Sequence, residues 1–506
     1  MAGAFAPLGW WGLAPLALGP LWLAAWGRRE AGGGWWAGFR LGWLFGVVFF
    51  GATLWWIEAV TAAGMLAMVG YLALYPAAAL GLVGWLGMPR GAGGWKMLGR
   101  LGMAAGGWTG LEWLRGLGLF GFPWNGVAVP CFPSAGLRVL AGWVGVAGVG
   151  FLVLGISLLG AAGLWLRGGG RALAWGGLGV LLGSWGLSEW AARGEGVEPG
   201  AEGRAVLVQS NLSMEEKMTA DGEVQRQRYF DLEAASQAAL AASAAEEGKP
   251  QVDLVVWPES ALPGFFDEMV RGGAFESLLA QGDFSLVTGS DHEEWGKLYN
   301  SLVALRGKVE NYALHSKVRL VPFGEFIPFR QQVPLLEKLV GDLIPMDFSR
   351  GTSLEPLRIA GQGFSIVPLV CFEDTMGGHA RRFIRPEPQV LVNVTNDNWF
   401  GHSPATEMHF ANARWRAVEL RRCLLRSANT GVTAIVSPRG EVERLPSFVR
   451  GTLAGRFAVG SGEMTFYARH GDVAAVGAGV LALLGGMAVG WRRRRRKRVA
   501  AGPRGA

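Results

Sequence analysis

Three short segments hold side chains that can do covalent chemistry together: Trp257-Pro258-Glu259-Ser260, His315-Ser316-Lys317 and Val370-Cys371-Phe372-Glu373-Asp374. A thiol attacks carbonyl carbon well, but it must first lose its proton to a base or be acidified by a cation. Glu259 is the candidate base, since burial beside Trp257 would raise its pKa towards the working range. Lys317 is the candidate electrophile, with an ammonium able to hold the oxyanion of a tetrahedral intermediate. Taken singly, each has an ordinary reading as well. Cys371 would be a buried core thiol, and Glu259 and Lys317 a distant surface pair.

The elements around them favour the joint reading. Cys371 follows the apolar run Phe364 to Val370 and should sit at the C-terminal end of a buried strand, where α/β folds display reactive groups. Glu259 ends a second such run. Short β-branched stretches at Ala205–Gln209, Leu254–Trp257, Phe284–Thr288, Ser365–Val370, Val390–Val394 and Thr433–Val436 read as strands. Gln225–Ala245 and Met408–Leu425 read as helices, so residues 204–471 form an α/β domain. Two insertions, Pro263–Ala280 and Ile327–Phe348, carry Phe265, Phe266, Met269, Leu335, Leu336, Leu339, Leu343 and Ile344. They are either helices covering the core or apolar arms over a lipid site.

The rest of the chain is apolar. Half of its 506 residues are hydrophobic and 17% are charged, with a mean hydropathy of +0.26. Seven stretches can each span roughly 30 Å of hydrocarbon as a helix: 7–26, 38–58, 64–88, 101–120, 138–166, 171–191 and 472–491. We therefore expect a bundle of about six spans over 1–192, a linker over 193–203, a last span at 472–491 and a basic tail over 492–506. Basic residues cluster at Arg28/Arg29, Arg90/Lys96/Arg100, Arg167/Arg171 and Arg492 onward, which the positive-inside rule places in the cytoplasm. The N-terminus and the α/β domain then lie outside. The first apolar segment has no basic residues before it, so it does not read as a cleavable signal.

Composition also excludes several function classes. Much of the formal charge of +7 comes from the run after Trp491, a membrane anchor rather than a nucleic-acid face. Cys131, Cys371 and Cys423 are too few and too scattered for a disulfide framework, and neither HExxH nor CxxC spacing occurs. No metal or cofactor is expected. Glu112 and Arg115 stand three apart on one helix face at membrane depth, where charge is costly. They form an ion pair or serve function.

Longer words carry a resemblance. Val255-Val256-Trp257-Pro258-Glu259-Ser260, Leu320-Val321-Pro322-Phe323-Gly324-Glu325, Asn396-Asp397-Asn398-Trp399-Phe400-Gly401 and Leu424-Leu425-Arg426-Ser427-Ala428-Asn429-Thr430-Gly431 resemble the apolipoprotein N-acyltransferases, the membrane branch of the nitrilase superfamily. In the apolar half, Glu112-Trp113-Leu114-Arg115-Gly116 and Gly121-Phe122-Pro123-Trp124 agree. The resemblance implies a nitrilase-like α-β-β-α sandwich in a bacterial inner membrane protein, with its catalytic domain facing the periplasm. It implies that Cys371 attacks the sn-1 ester of a phospholipid, usually phosphatidylethanolamine, to form a thioester. The α-amine of the diacylglyceryl-cysteine of an apolipoprotein then takes the acyl chain. Glu259, Lys317 and Cys371 would be the triad, Glu325, Glu373 and Asn300 would support it, Trp399 would line the lipid entrance, and Arg115 would hold a headgroup phosphate.

The chain departs from that pattern at Phe372, where the family has Tyr, and at Met218, where it has Trp. The family also has eight spans and a cytoplasmic N-terminus, so the count of seven implies that a first helix is lacking. Two other functions fit parts of the sequence: a membrane-tethered amidase or nitrilase acting on a small substrate, and a lipid-binding scaffold with a degenerate enzyme domain. The first needs the triad and gives the spans no role. The intact triad opposes the second.

Overall fold

The computed structural model describes residues 1–194, 201–219, 221–245, 251–334, 338, 341, 344 and 346–500. The chain divides into two compact units, one of Met1–Glu195 with His470–Ala506, the other of Gly196–Arg469.

The first unit is helical: α1 (Gly19–Glu30), α2 (Trp35–Leu54), α3 (Ala62–Leu86), α4 (Gly94–Arg115), α5 (Ala135–Trp165), α6 (Gly169–Gly194) and a C-terminal helix, Val473–Ala500. Among the described residues four segments are long and apolar enough to cross a membrane: Trp35–Ala59, Ala62–Leu86, Ala135–Trp165 and Val473–Arg496. The expected span over 7–26 is not one helix. Pro7, Pro15 and Pro20 withhold backbone donors, and the chain makes short 3₁₀ turns at Ala2–Ala4 and Trp11–Leu13 before α1 begins at Gly19. Twelve residues of helix reach only about 18 Å. The stretch at 101–120 also shifts: α4 starts earlier, takes in Lys96 and Arg100, and stops at Arg115 before the Gly116–Pro123 loop. α5 bends at Gly145, whose φ of 69° lies in the left-handed region.

Small residues set the helix spacing, as they do where lipid supplies no hydrophobic drive between helices. α2 packs on α3 along Gly38, Gly42 and Gly46; a β-carbon at Gly42 would lie 2.3 Å from the Pro76 carbonyl oxygen. α4 meets the C-terminal helix at Gly110, where a β-carbon would lie 2.7 Å from Gly479 Cα.

The second unit holds two sheets. Its strands are β1 (Glu202–Gln209), β2 (Leu254–Val256), β3 (Ser285–Glu294), β4 (Lys297–Arg306), β5 (Lys308–Ser316), β6 (Ser365–Val370), β7 (Gln389–Thr395), β8 (Leu424–Ala428), β9 (Ala434–Val436), β10 (Val442–Arg444) and β11 (Gly451–Ala458). One sheet runs β11-β1-β2-β3-β4-β5, the other β10-β9-β8-β7-β6. β1, β2 and β3 are parallel, as are β6, β7 and β8; β11, β4 and β5 flank the first sheet, and β9 and β10 one side of the second, with antiparallel pairs. Alternation along each strand sends one set of side chains inward. Leu207, Val256, Val287 and Ala304 of the first sheet share a core with Ile366, Val392, Leu425 and Ile435 of the second. The opposite face of the first sheet, including Val206, Val255, Leu286 and Val303, packs under Tyr229, Leu232 and Ala239 of the helix Gly222–Ala244. The result is the α-β-β-α sandwich.

Three expectations change here. Met408–Leu425 is not one helix: Ala405–Ala413 and Trp415–Leu420 are helical, Arg421 caps the second in the left-handed region, and Leu424 enters β8. The linker over 193–203 is shorter, because β1 begins at Glu202 by pairing with Ala458; residues 195–200 lie outside the described residues. In the first insertion, Phe266 is buried with Phe275 and Leu278 against the sheet, so this segment covers the core. In the second, Ile344 is buried, and Leu335, Leu336, Leu339 and Leu343 lie outside the described residues.

Candidate active site

Glu259 leaves β2 on a fixed path. The Trp257 amide donates to Val287 O (2.8 Å), the Gly289 amide donates to Pro258 O (3.1 Å), and Ser260 turns the chain at φ 48°. Gly289 is needed for this approach, since a β-carbon there would lie 2.5 Å from Glu259 Cα. Lys317 follows β5, and its amide donates to Asn300 O at 2.8 Å. Glu325 closes a tight turn in which its Oε2 accepts the Val321 amide at 2.8 Å.

These side chains converge. Lys317 Nζ lies 2.8 Å from Glu325 Oε1 and 3.7 Å from Glu259 Oε1. The Asn300 amide donates to both carboxylates, at 2.8 Å to Glu259 and 2.9 Å to Glu325. Lys317 is 1% exposed and Glu259 6%. Burial alone would lower the lysine pKa, but the Glu325 and Glu259 charges reverse this and raise it, so Lys317 stays a cation.

Cys371 stands at the end of β6 with φ 52°, an uncommon conformation for a residue with a side chain. Asn393 of the neighbouring strand donates to its carbonyl oxygen at 3.2 Å. Burial and the Glu259 charge push the thiol well above its ordinary value, and the Lys317 cation only partly opposes them. At rest Cys371 is therefore held as a thiol, and it would need a base to act as a nucleophile.

Glu373 holds the two halves together. Its Oε1 accepts the amides of Val318 and Arg319, each at 2.8 Å, and its Oε2 accepts the Val370 amide at 3.0 Å. Burial would raise this carboxyl, but the His379 ring 3.1 Å away and the backbone amides hold it down at about 2. The segment after Lys317 and the strand before Cys371 thus bind one carboxylate.

The sequence comparisons bear on the same residues. Residues 1–159 match the apolipoprotein N-acyltransferase N-terminal domain, and residues 222–456 match the carbon-nitrogen hydrolase domain. An apolipoprotein N-acyltransferase from Methylococcus capsulatus is 34% identical over 94% of this chain and 91% of its own length. The chain belongs to the apolipoprotein N-acyltransferase family. Another such relative, from Geobacter metallireducens, is 33% identical over 94% of this chain and 91% of its own. An amidase of known structure from Nesterenkonia, 17% identical, covers 54% of this chain and 95% of its own with a TM-score of 0.34. Membership makes the protein an enzyme, an acyltransferase of the carbon-nitrogen hydrolase superfamily.

Of the residues expected at this N-acyltransferase site, Glu259, Lys317, Glu325 and Asn300 meet in one hydrogen-bonded group, which faces Cys371. Glu373 lies behind it, and Phe372 is buried beside Cys371. Trp399 is 49% exposed on the turn after β7, the strand next to Cys371's own. Met218 ends the short helix Met214–Met218, and its side chain lies outside the described residues. Arg115 belongs to the helical unit. There it is buried beside a small cavity of about 20 Å³ lined by Phe50, Tyr75, Trp108 and Glu112. Its guanidinium lies over the Phe50 ring, and Glu112, its nearest charge partner, also accepts the Val127 amide.

Sequence reasoning missed a buried charge network close to Cys371. His409 bonds Asp397 at 2.8 Å and Asp374 at 2.9 Å, and Arg426 reaches both carboxylates at 3.4 and 3.2 Å. Burial would lower the His409 pKa, but Asp374 and Asp397 raise it to about 9. His409 and Arg426 hold Asp397 at about 2 against the opposing effect of its burial. Asp397 and Arg426 lie inside the family-like words, which was the available signal. Lys217 and Asp291, which also face Glu259, gave none.

Proposed function

We propose that the enzyme acylates the N-terminal α-amine of diacylglyceryl-cysteine on apolipoproteins, with a membrane phospholipid as donor and Cys371 as carrier. Glu259 takes the thiol proton as sulfur attacks the ester carbonyl. Lys317, fixed by Glu325, balances the oxyanion, and the expelled lysophospholipid alkoxide leaves with the Glu259 proton. The acceptor amine then attacks the thioester, and the thiol is restored. The single observation that carries this reading is the Lys317 ammonium bridging Glu325 and Glu259 beside a neutral thiol.

The apolar helices and the names of the relatives support a membrane substrate. We take residues 1–192 and 472–491 as the inner-membrane part, 492–506 as cytoplasmic and 204–471 as the periplasmic catalytic domain, with phosphatidylethanolamine as donor. Trp399 would meet the lipid at the surface, and Arg115 would hold a headgroup phosphate. The amidase alternative accounts for the triad but gives residues 1–159 no role.

Intact-protein mass spectrometry after mixing with phosphatidylethanolamine tests the reading. The expected result is a hydroxylamine-labile acyl adduct, absent from Cys371→Ala and discharged by a diacylglyceryl peptide. A folded protein that forms no adduct in the presence of lipid overturns it.

A further inference from the structure

The proton balance of the two half-reactions differs. Forming the thioester exchanges a thiol proton for an alcohol proton, and Glu259 alone can carry it. Discharge begins from an ammonium, because a free α-amine is largely protonated near neutral pH. That nitrogen loses two protons on becoming an amide. One returns to Cys371 sulfur through Glu259; the other must leave by another group.

The carboxylates already described are occupied. Glu259 and Glu325 accept from Asn300 and face Lys317, and Glu373 accepts three backbone amides. Asp291 is different. On β3 it lies directly opposite Asn300 of β4, and cross-strand partners project from the same face with β-carbons about 5 Å apart. Its Oδ1 is buried and has no hydrogen-bond partner. The charged groups around it are Glu259, Lys217, Glu325 and Lys317. Lys217, from the helix Met214–Met218, donates to the Glu259 carbonyl oxygen at 3.3 Å.

We propose that Asp291 is a second base, used only in discharge: its carboxylate receives the acceptor ammonium and removes the first of the two protons. This rests on the acceptor being an amine, as proposed above. The nitrogen then attacks the thioester carbonyl. The C–S bond breaks, the second proton passes through Glu259 to sulfur, and the first leaves Asp291 for solvent. The environment suits the task. Burial, then the Glu259 charge, raises the Asp291 carboxyl to about 7, and Lys217 opposes the rise. A base of that strength can accept a proton near neutral pH and release it again.

The test uses the full-length enzyme, acylated with phosphatidylethanolamine and separated from donor, as wild type, Asp291→Asn and Asp291→Glu. In Asp291→Asn discharge by a diacylglyceryl peptide should slow roughly tenfold to a hundredfold more than acyl-enzyme formation does, the effect of one charge-assisted contact. Asp291→Glu should recover part of this. Hydroxylamine, uncharged at neutral pH, should discharge wild type and Asp291→Asn equally. Equal peptide discharge in both proteins overturns the proposal, and so does equal slowing of acylation, peptide discharge and hydroxylamine discharge. Failure of the wild type to form any adduct would instead strike the function proposed above.

Discussion

Lys317 stands nearer to Glu325, at 2.8 Å, than to Glu259, at 3.7 Å. The lysine is thus anchored chiefly by Glu325, and Glu259, the proposed base, holds it more weakly. In Glu325→Gln the buried ammonium keeps Glu259 as its remaining carboxyl partner and should close onto it. We expect acyl-enzyme formation to fall about a hundredfold, the scale of losing one preorganised electrostatic contact. Stopped-time mass spectrometry of the adduct measures this, and an unchanged rate would show that Glu325 does not set the lysine position.

Glu373 binds three amides from two segments. Glu373→Ala leaves these donors without an acceptor and should destabilise the catalytic unit by about 3 kcal/mol or more. Glu373→Gln keeps carbonyl acceptance and should lose less. Melting temperatures of the detergent-solubilised variants give the order; equal values for Ala and Gln would refute it.

The network close to Cys371 sets a pH window for stability. His409 is raised to about 9 in the fold, so its stabilising contribution is complete below its ordinary pKa of about 6.5. It is lost as pH rises through about 9. Asp397 and Glu373 are lowered to about 2, so their contribution is present above the ordinary carboxylate range and disappears as pH falls through about 2. The gap in melting temperature between wild type and His409→Gln should be widest below pH 6.5 and narrow through pH 9. A gap that widens with alkali contradicts the assignment.

Arg115→Ala tests the headgroup role in the helical unit. Removing the guanidinium should raise the phospholipid concentration needed for half-maximal acylation, with hydroxylamine discharge of preformed adduct unchanged. Unaltered lipid dependence in a folded protein would make Arg115 structural.

Legibility followed the physics of each segment. β6 and β7 are buried on both faces, and Ile366-Val367 and Val390-Leu391-Val392 read as strands at once. The β4–β5 hairpin went unread, because Lys297, Tyr299, Asn300, Lys308, Glu310 and Asn311 give a half-polar edge. β8 was read as the end of a helix, because Arg426 in its middle looks exposed until Asp374 and Asp397 supply its counter-charges. The convergence of Glu259 and Lys317 was legible because each follows closely on a strand. Asp291 was not, since its meaning depends on its register with Asn300. In the apolar half, hydrophobic length identified four strong spans, while the prolines before Gly19 broke the first.

The left-handed backbone at Cys371 has a cost that only the active protein bears. A β-carbon at φ 52° is unfavourable by about 1 kcal/mol relative to glycine. Cys371→Gly should therefore be inactive and yet no less stable than the working enzyme once the loss of side-chain packing is offset. At this position selection for turnover runs against selection for a relaxed chain. The residue proposed as the acyl carrier is one that folding alone would replace.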